Sequence, residues 1–495
     1  MRKGTENPGI TTTTRTTPGR STPASTTTPP TGEIVSHLLH TLGDPDPARG
    51  TDDITVVGAD PLVPSVHRLA DAMSAAIGVF GRQTAALGEQ RGHPHQTVEV
   101  RAGAAIDQLM ATYHTTLSGR RLGDLLDDPT LLGNNDFYRA RDGRWIFVIT
   151  TYPHLRDAVC SVLRCGLDKV GIAKAVADWD AFTLEEAICA RGGVACVVRG
   201  RDEWLAHPAG RFVARRPVVE IERVGDGPVQ PLEPIGAADE ALTGVRVLDL
   251  THVIAGPVAA RLLAQFGADV LHLSRPDRPD PIPMIAMTGG GKRNAYCDLR
   301  DDHDRAAFHD ALQEADVFVH AYRGLARHGA STEELVRRRP GLITLEYHAW
   351  GAEGPWGERG GFDQLACSAT GFAVEEWTDR PSLPPTYLLN DYLAAYLGSA
   401  AVATVLRRRA TEGGSWRIRV TLAGVCHWVR ELGLLEREDV RDLPRPGGVA
   451  FAELVTTATD FGPVTEPATP FSYSGRGVPQ PGRRAPLGSA PLQWS

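Results

Sequence analysis

Asp391 stands just ahead of an Ala-rich stretch, and its carboxylate can do two things there. Aspartate is a preferred helix N-cap, where it accepts one of the free backbone N–H groups. Held against an activated carbonyl in a dry site, it is instead a nucleophile, and the same helix start offers N–H groups to a developing oxyanion. A second candidate is Ala255-Gly256-Pro257, which follows the apolar run Val245 to Leu250 and the loop from Thr251. A proline there is expected to open a helix, and a helix N-terminus directly after a buried strand is a ready anion site, suited to a phosphorylated ligand. No G-x-G-x-x-G is present, so the nicotinamide fingerprint is missing. Gly289-Gly290-Gly291 reads either as a flexible approach loop or as a turn. The seven cysteines are scattered, without a C-x-x-C pair. They are expected to be reduced, mostly buried thiols of a cytoplasmic protein, with no metal site and no disulfide framework.

These groups need ordered elements to hold them. The 495 residues are 42% hydrophobic and 23% charged, enough for more than one soluble domain. The net charge of −8 argues against a nucleic-acid partner, which needs a basic face, while leaving room for a local basic groove. No apolar run approaches the length of a membrane span, and no secretory signal is evident at the N-terminus. Residues 1–32, rich in Thr and Pro, are expected to be a disordered tail. Residues 33–134 read as mainly helical, with one strand near Thr97 to Val100. Residues 135–225 read as a small α/β domain, with the hairpin turn Arg141 to Arg144 and the strand Trp145 to Thr150. Residues 226–240 form a linker, and 459–495 a C-terminal strap or tail. Between them, 241–458 alternate strand and helix, the pattern of a Rossmann-like, doubly wound parallel sheet. The predicted fold class is therefore α/β, a Rossmann-like doubly wound domain with a second, smaller α/β domain.

One element occurs twice. Residues 66–113 and 387–434 each contain an Asp, an Ala-rich helix with Arg near its end, a turn containing Gly, a strand and another helix. Asp71 and Asp391 occupy equivalent places, although Asp71 has no sheet unit ahead of it and reads as a cap or decoy.

The second half resembles the family III CoA-transferases, the group that includes formyl-CoA transferase, carnitine CoA-transferase and α-methylacyl-CoA racemase. The resemblance rests on Leu242 to Leu250, Thr251 to Pro257, Gly267 to Val270, Gly291-Lys292-Arg293-Asn294 with Asp298-Leu299, Ala315 to Val317, Gly351 to Pro355, Gly361-Phe362-Asp363 and Asn390-Asp391. The first half is similar to the later part of the same family, through Trp145, Glu203-Trp204-x-x-His207-Pro208 and Pro217 to Ile221. The chain thus reads as the tail of one copy followed by the head of another, a truncated tandem or a permuted order.

The resemblance implies a CoA-transferase that moves CoA from an acyl-CoA donor to a carboxylic acid acceptor through an aspartyl anhydride and an aspartyl-CoA thioester. Asp391 is then the nucleophile. His252, Val253, Ala255 and Gly256 line the CoA site, Arg275 meets the adenine or its phosphate, and Lys292 and Arg327 are further cationic candidates. Coenzyme A enters as substrate, with no permanently bound cofactor, and a homodimer, interlocked in this family, is implied. A racemase or isomerase, or a degenerate CoA-binding paralogue, are the alternatives. Phe362 stands where the racemases carry a His, which removes one partner of a two-base proton transfer. Ile254 replaces the Gln of formyl-CoA transferase, and Ala321-Tyr322-Arg323-Gly324 shortens the basic stretch of the family. The donor and acceptor acids are not legible.

Overall fold

The computed structural model describes residues 30–376, 379–445, 447–448 and 450–494; the expected tail therefore lies outside the described residues up to 29. Helix α1 (Pro30–Leu42) begins within its last three positions. Strand β1 (Ile54–Val57), helix α2 (Leu69–Gln90) and strand β2 (Val98–Arg101) follow. The small antiparallel sheet comprises β3 (Asp136–Arg139), β4 (Trp145–Ile149) and β5 (Val194–Val197), in that spatial order. Between β4 and β5 run α3 (Pro153–Leu163), α4 (Lys169–Val176) and α5 (Ala181–Ala190). Asp168 and Asp180 cap the latter two through their side chains.

Strand β6 (Val219–Gly225) leaves this unit and joins a larger sheet. That sheet contains β7 (Arg246–Leu250), β8 (Asp269–Ser274), β9 (Arg293–Tyr296), β10 (Val317–His320), β11 (Ile343–His348) and β12 (Ser415–Thr421). Its order is β9-β8-β7-β10-β11-β12-β6, parallel throughout except for β6, which pairs antiparallel with β12. Strands β7 and β10 are neighbours although β8 and β9 intervene in sequence. The chain order therefore reverses between them, and a crevice opens beyond their C-terminal ends. The α/β architecture with a parallel sheet and a smaller α/β unit matches the expectation. Helix α6 (Ala255–Gln265) follows β7 and starts two residues earlier than Pro257 suggested.

Two long helices meet at the centre, α2 and α7 (Asn390–Glu412). Nearly every residue of both is buried, which their Ala, Gly and Ser content permits. A Cβ on Gly78 would sit 2.8 Å from Ile54, and one on Gly81 3.0 Å from Phe471, so glycine lets α2 lie directly on its sheet. That sheet has the order β1-β2-β13, with β13 (Phe471–Tyr473) antiparallel to β2. It repeats the arrangement β11-β12-β6 on a reduced scale, so the sequence repeat extends to strands that sequence similarity alone did not mark. Residues 464–494 run over the surface, pairing at Val464–Pro467 and β13, and burying Arg484.

Candidate active site

Helix α7 begins at Asn390, making Asp391 its second helical residue and not its cap. The cap comes from elsewhere. The carboxylate of Asp363, at the start of helix Asp363–Ala369, accepts the N–H groups of Leu389 and Asp391, each at 3.0 Å, and the side-chain amide of Asn390 at 3.3 Å. With the helix N-terminus satisfied by Asp363, the Asp391 carboxylate is released from the capping role. It is buried, and burial pushes its pKa well above the ordinary carboxylate range; the Asp363 carboxylate pushes the same way, and the backbone N–H of Ala255 opposes both. Asp363 is itself raised by burial, against the N–H groups it accepts.

Asp391 lies where two cavities meet. One is a crevice beyond β7 and β10, lined by His252, Val253, Ala255, Gly256 and Arg275, and also by Arg278, Tyr322, Arg323 and Arg359. The other is a narrow pocket walled mainly by Leu126, Leu132, Ile149, Met284, Met287 and Phe362. Both include Tyr152 from the small unit and Asp391 from the large one. Residues of both halves of the chain thus line the same cavities.

The turn after β7 is held in a strained shape. Val253 has φ = +69°, costly for a β-branched residue, on the order of 1–3 kcal/mol. Asp280 braces it, accepting the Val253 N–H at 3.0 Å and the Tyr152 hydroxyl at 2.7 Å. One carboxylate thereby ties the turn to the small unit. His252 stacks on Tyr322 with ring centroids 4.7 Å apart, and burial, only partly opposed by Asp280, lowers its pKa, so it is a neutral wall of the crevice.

Two cationic expectations are corrected. Lys292 is buried behind the crevice, with Nζ 2.9 Å from Asp249 Oδ2, and does not line it. Burial lowers its pKa, partly offset by Asp249. Asp249 also receives His272 Nδ1 at 3.0 Å and the Thr251 hydroxyl. Burial alone would raise the Asp249 pKa, but Lys292 and His272 bring it down to about 2. This network holds β7 and the start of the turn. Arg327 lies exposed on the short 3-10 segment Leu325–His328 and is not among the crevice-lining residues. Arg275 does face the crevice, in a two-pronged pair with Asp277 at 3.0 and 2.6 Å. Gly289 to Gly291 form a packed turn at the end of helix Ile282–Thr288, where the Gly291 N–H donates to Arg483.

Asp71 has a different setting. It also lies in the first turn of its helix, and its own N–H donates to Asp60 at 2.9 Å, the counterpart of the Asp363 contact. Its carboxylate, however, pairs with Arg68 at 3.2 Å and accepts from Thr31 and the Asp60 N–H, both at 3.3 Å.

Reading the sequence missed Asp280, Arg278, Arg359 and the capping role of Asp363. The repeated arginines from Arg275 to Arg278, directly after a strand, were a usable signal; nothing local marks Asp280.

Residues 242–457 match the family model described as CoA-transferase family III. An acetyl-coenzyme A transferase of Hypoxylon pulicicidum is 34% identical over 231 residues, 44% of this chain and 38% of that protein. The succinyl-CoA–L-malate CoA-transferase alpha subunit of Chloroflexus aurantiacus is 28% identical over 202 residues, 37% of this chain and 47% of that protein. Among solved structures, Rv3272 of M. tuberculosis is 27% identical, with a TM-score of 0.37, covering 39% of this chain and 56% of that one. The chain thus spans about half, or less, of the length of these relatives.

Proposed function

We propose that this chain, whose residues 242–457 are a family III CoA-transferase segment, moves CoA between an acyl-CoA and a carboxylic acid with Asp391 as nucleophile. The observation that carries this reading is the position of Asp391, buried at the junction of an arginine-lined crevice and an apolar pocket and released from capping by Asp363.

The crevice takes the nucleotide end of CoA. Arg275, Arg278, Arg323 and Arg359 supply the positive field that its phosphates need. The thioester reaches Asp391 with the acyl group in the apolar pocket. An Asp391 oxygen adds to the thioester carbonyl, the C–S bond breaks, and CoA thiolate leaves an acyl-aspartyl anhydride. The thiolate attacks the aspartyl carbonyl, releasing the donor acid and leaving an aspartyl-CoA thioester. The acceptor carboxylate attacks that thioester, and the expelled thiolate returns to the acceptor's acyl carbon. This gives the new acyl-CoA and restores the Asp391 carboxylate. The Ala255 N–H, which faces Asp391, is placed to stabilise charge on its oxygens as they change. Burial makes the carboxylate a less solvated and more reactive nucleophile, at the expense of a higher pKa.

CoA serves as substrate, and no resident cofactor is invoked. The site needs one chain only, so the homodimer implied by the resemblance would be an association of complete sites. Among the described residues no helix is long and apolar enough to cross a membrane, and all seven cysteines are free thiols, which supports placing the protein in the cytoplasm. The test is exchange of an isotopically labelled acid into its acyl-CoA. The reading requires exchange without net hydrolysis and ping-pong kinetics; exchange of the α-proton alone would make the protein an isomerase, and CoA binding without either would make it a degenerate paralogue.

A further inference from the structure

The pocket beside Asp391 is apolar apart from a few neutral side chains, and three of these, Thr112, Gln364 and Tyr387, make no side-chain hydrogen bond among the described residues. Thr112, at 5% exposure, has a buried hydroxyl that makes no hydrogen bond among the described residues. Gln364, at 8% exposure, makes no side-chain hydrogen bond among them either. Asn135 and Thr151, in contrast, bond to one another at 2.8 Å. Leaving a polar group such as the Thr112 hydroxyl buried without a partner typically costs about 1–3 kcal/mol, and a ligand that covers the Gln364 amide without bonding to it would incur a similar cost. Thr112 comes from the first half of the chain and Gln364 from the second, and both line the same narrow space. Among the described residues the pocket is lined by no Lys, Arg or His, and by one ionisable carboxyl, that of Asp391.

We infer that Thr112 and Gln364 are specificity-determining residues that select a short, uncharged acyl group bearing a hydrogen-bonding substituent, such as a hydroxyl, and reject both its plain aliphatic analogue and a dicarboxylic acyl group. A hydroxyl satisfies an amide and a threonine together, since it donates and accepts. An aliphatic chain would leave both unpaired, which is the condition for strong discrimination. A second carboxylate would be buried beside Asp391 without a cation to meet it.

This inference rests on the CoA-transferase reading, and binding can test it without turnover. The Asp391→Asn variant is titrated calorimetrically with CoA, butyryl-CoA, 2- and 3-hydroxybutyryl-CoA and succinyl-CoA. One hydroxybutyryl-CoA is expected to bind at least roughly tenfold more tightly than butyryl-CoA, and succinyl-CoA more weakly than either. In the Gln364→Leu background the preference for the hydroxyl should disappear while affinity for CoA itself is unchanged. The melting temperature of Gln364→Leu should not fall, because no protein hydrogen bond is lost; Thr112→Val is the second, smaller probe. Equal affinity for the hydroxylated and plain thioesters, tighter binding of succinyl-CoA, or a hydroxyl preference that survives Gln364→Leu would overturn the inference and leave the transferase reading standing. Failure of CoA itself to bind would defeat both.

Discussion

The chain contains one device twice, at the N-termini of its two central helices. In each, an upstream aspartate, Asp363 or Asp60, accepts the backbone N–H of a first-turn aspartate, Asp391 or Asp71. Both upstream carboxyls are raised by burial, Asp60 to about 7. The copies diverge in what the first-turn carboxylate meets. Around Asp71, Arg68, Thr31 and a backbone N–H occupy the oxygens. Around Asp391 no side-chain cation forms a pair among the described residues, and the residue lines two cavities. The difference shows that position in a repeat does not decide a role; the partners do. The first copy has kept the helix and three strands, while the Rossmann half that would create its crevice is not beside it. Its carboxylate is accordingly paired.

The sharpest way to break this comparison is to truncate each carboxylate. Asp391→Ala should lower kcat/KM for CoA exchange by roughly 10⁴-fold or more, as loss of a covalent nucleophile does. Asp71→Ala should leave it within a few-fold. Comparable losses in both would mean that the copies are not functionally distinct.

A second contrast is energetic and sets Asp391 against Asp249, a buried carboxylate that is fully paired. Asp249→Asn strands Lys292 and should destabilise the fold by about 3–5 kcal/mol in urea unfolding. For Asp391 the sign reverses. Its pKa in the fold lies above the unfolded value, so the fold binds the proton more readily and loses stability as pH rises from the unfolded pKa through the folded one. Asp391→Asn should therefore raise the melting temperature at neutral pH, whereas Asp71→Asn should lower it by removing the Arg68 pair. The same raised pKa means that kcat/KM climbs with pH above the ordinary carboxylate range, because only the ionised form attacks.

The smallest effect concerns the crevice. Arg278→Ala should raise KM for the acyl-CoA about tenfold with little change in kcat, whereas Arg327→Ala, outside the crevice, should change neither. Initial-rate kinetics on the two variants separates them.

Much of this was legible in the sequence because it is local. The alternation of strand and helix from Val245 onward reflects hydrophobic period and turn chemistry, and it places β7, α6 and β8 within a residue or two. The turn residues His252, Val253 and Ala255 came from the family resemblance, and the geometry brings them to the crevice. Lys292 misled because a cation in a glycine-rich turn looks like a phosphate ligand. Its real partner, Asp249, is 43 residues away and becomes a neighbour only through the β7–β8–β9 pairing. Asp280, Gln364 and Thr112 were invisible for the same reason. What each does depends on whether a distant segment supplies or withholds a hydrogen bond, which no local pattern records. The joining of Tyr152 to the large unit could not be read either, since it depends on how the two halves of the chain fold together.

The central claim is that one carboxylate of the pair, and not its repeat partner, becomes covalently acylated. Incubation with acyl-CoA in the presence of hydroxylamine, followed by peptide mass spectrometry, reads this directly. The account predicts a hydroxamate on Asp391 that depends on acyl-CoA, with Asp71 unmodified. A turning-over enzyme with no modification at Asp391, or with the adduct on Asp71, would contradict it.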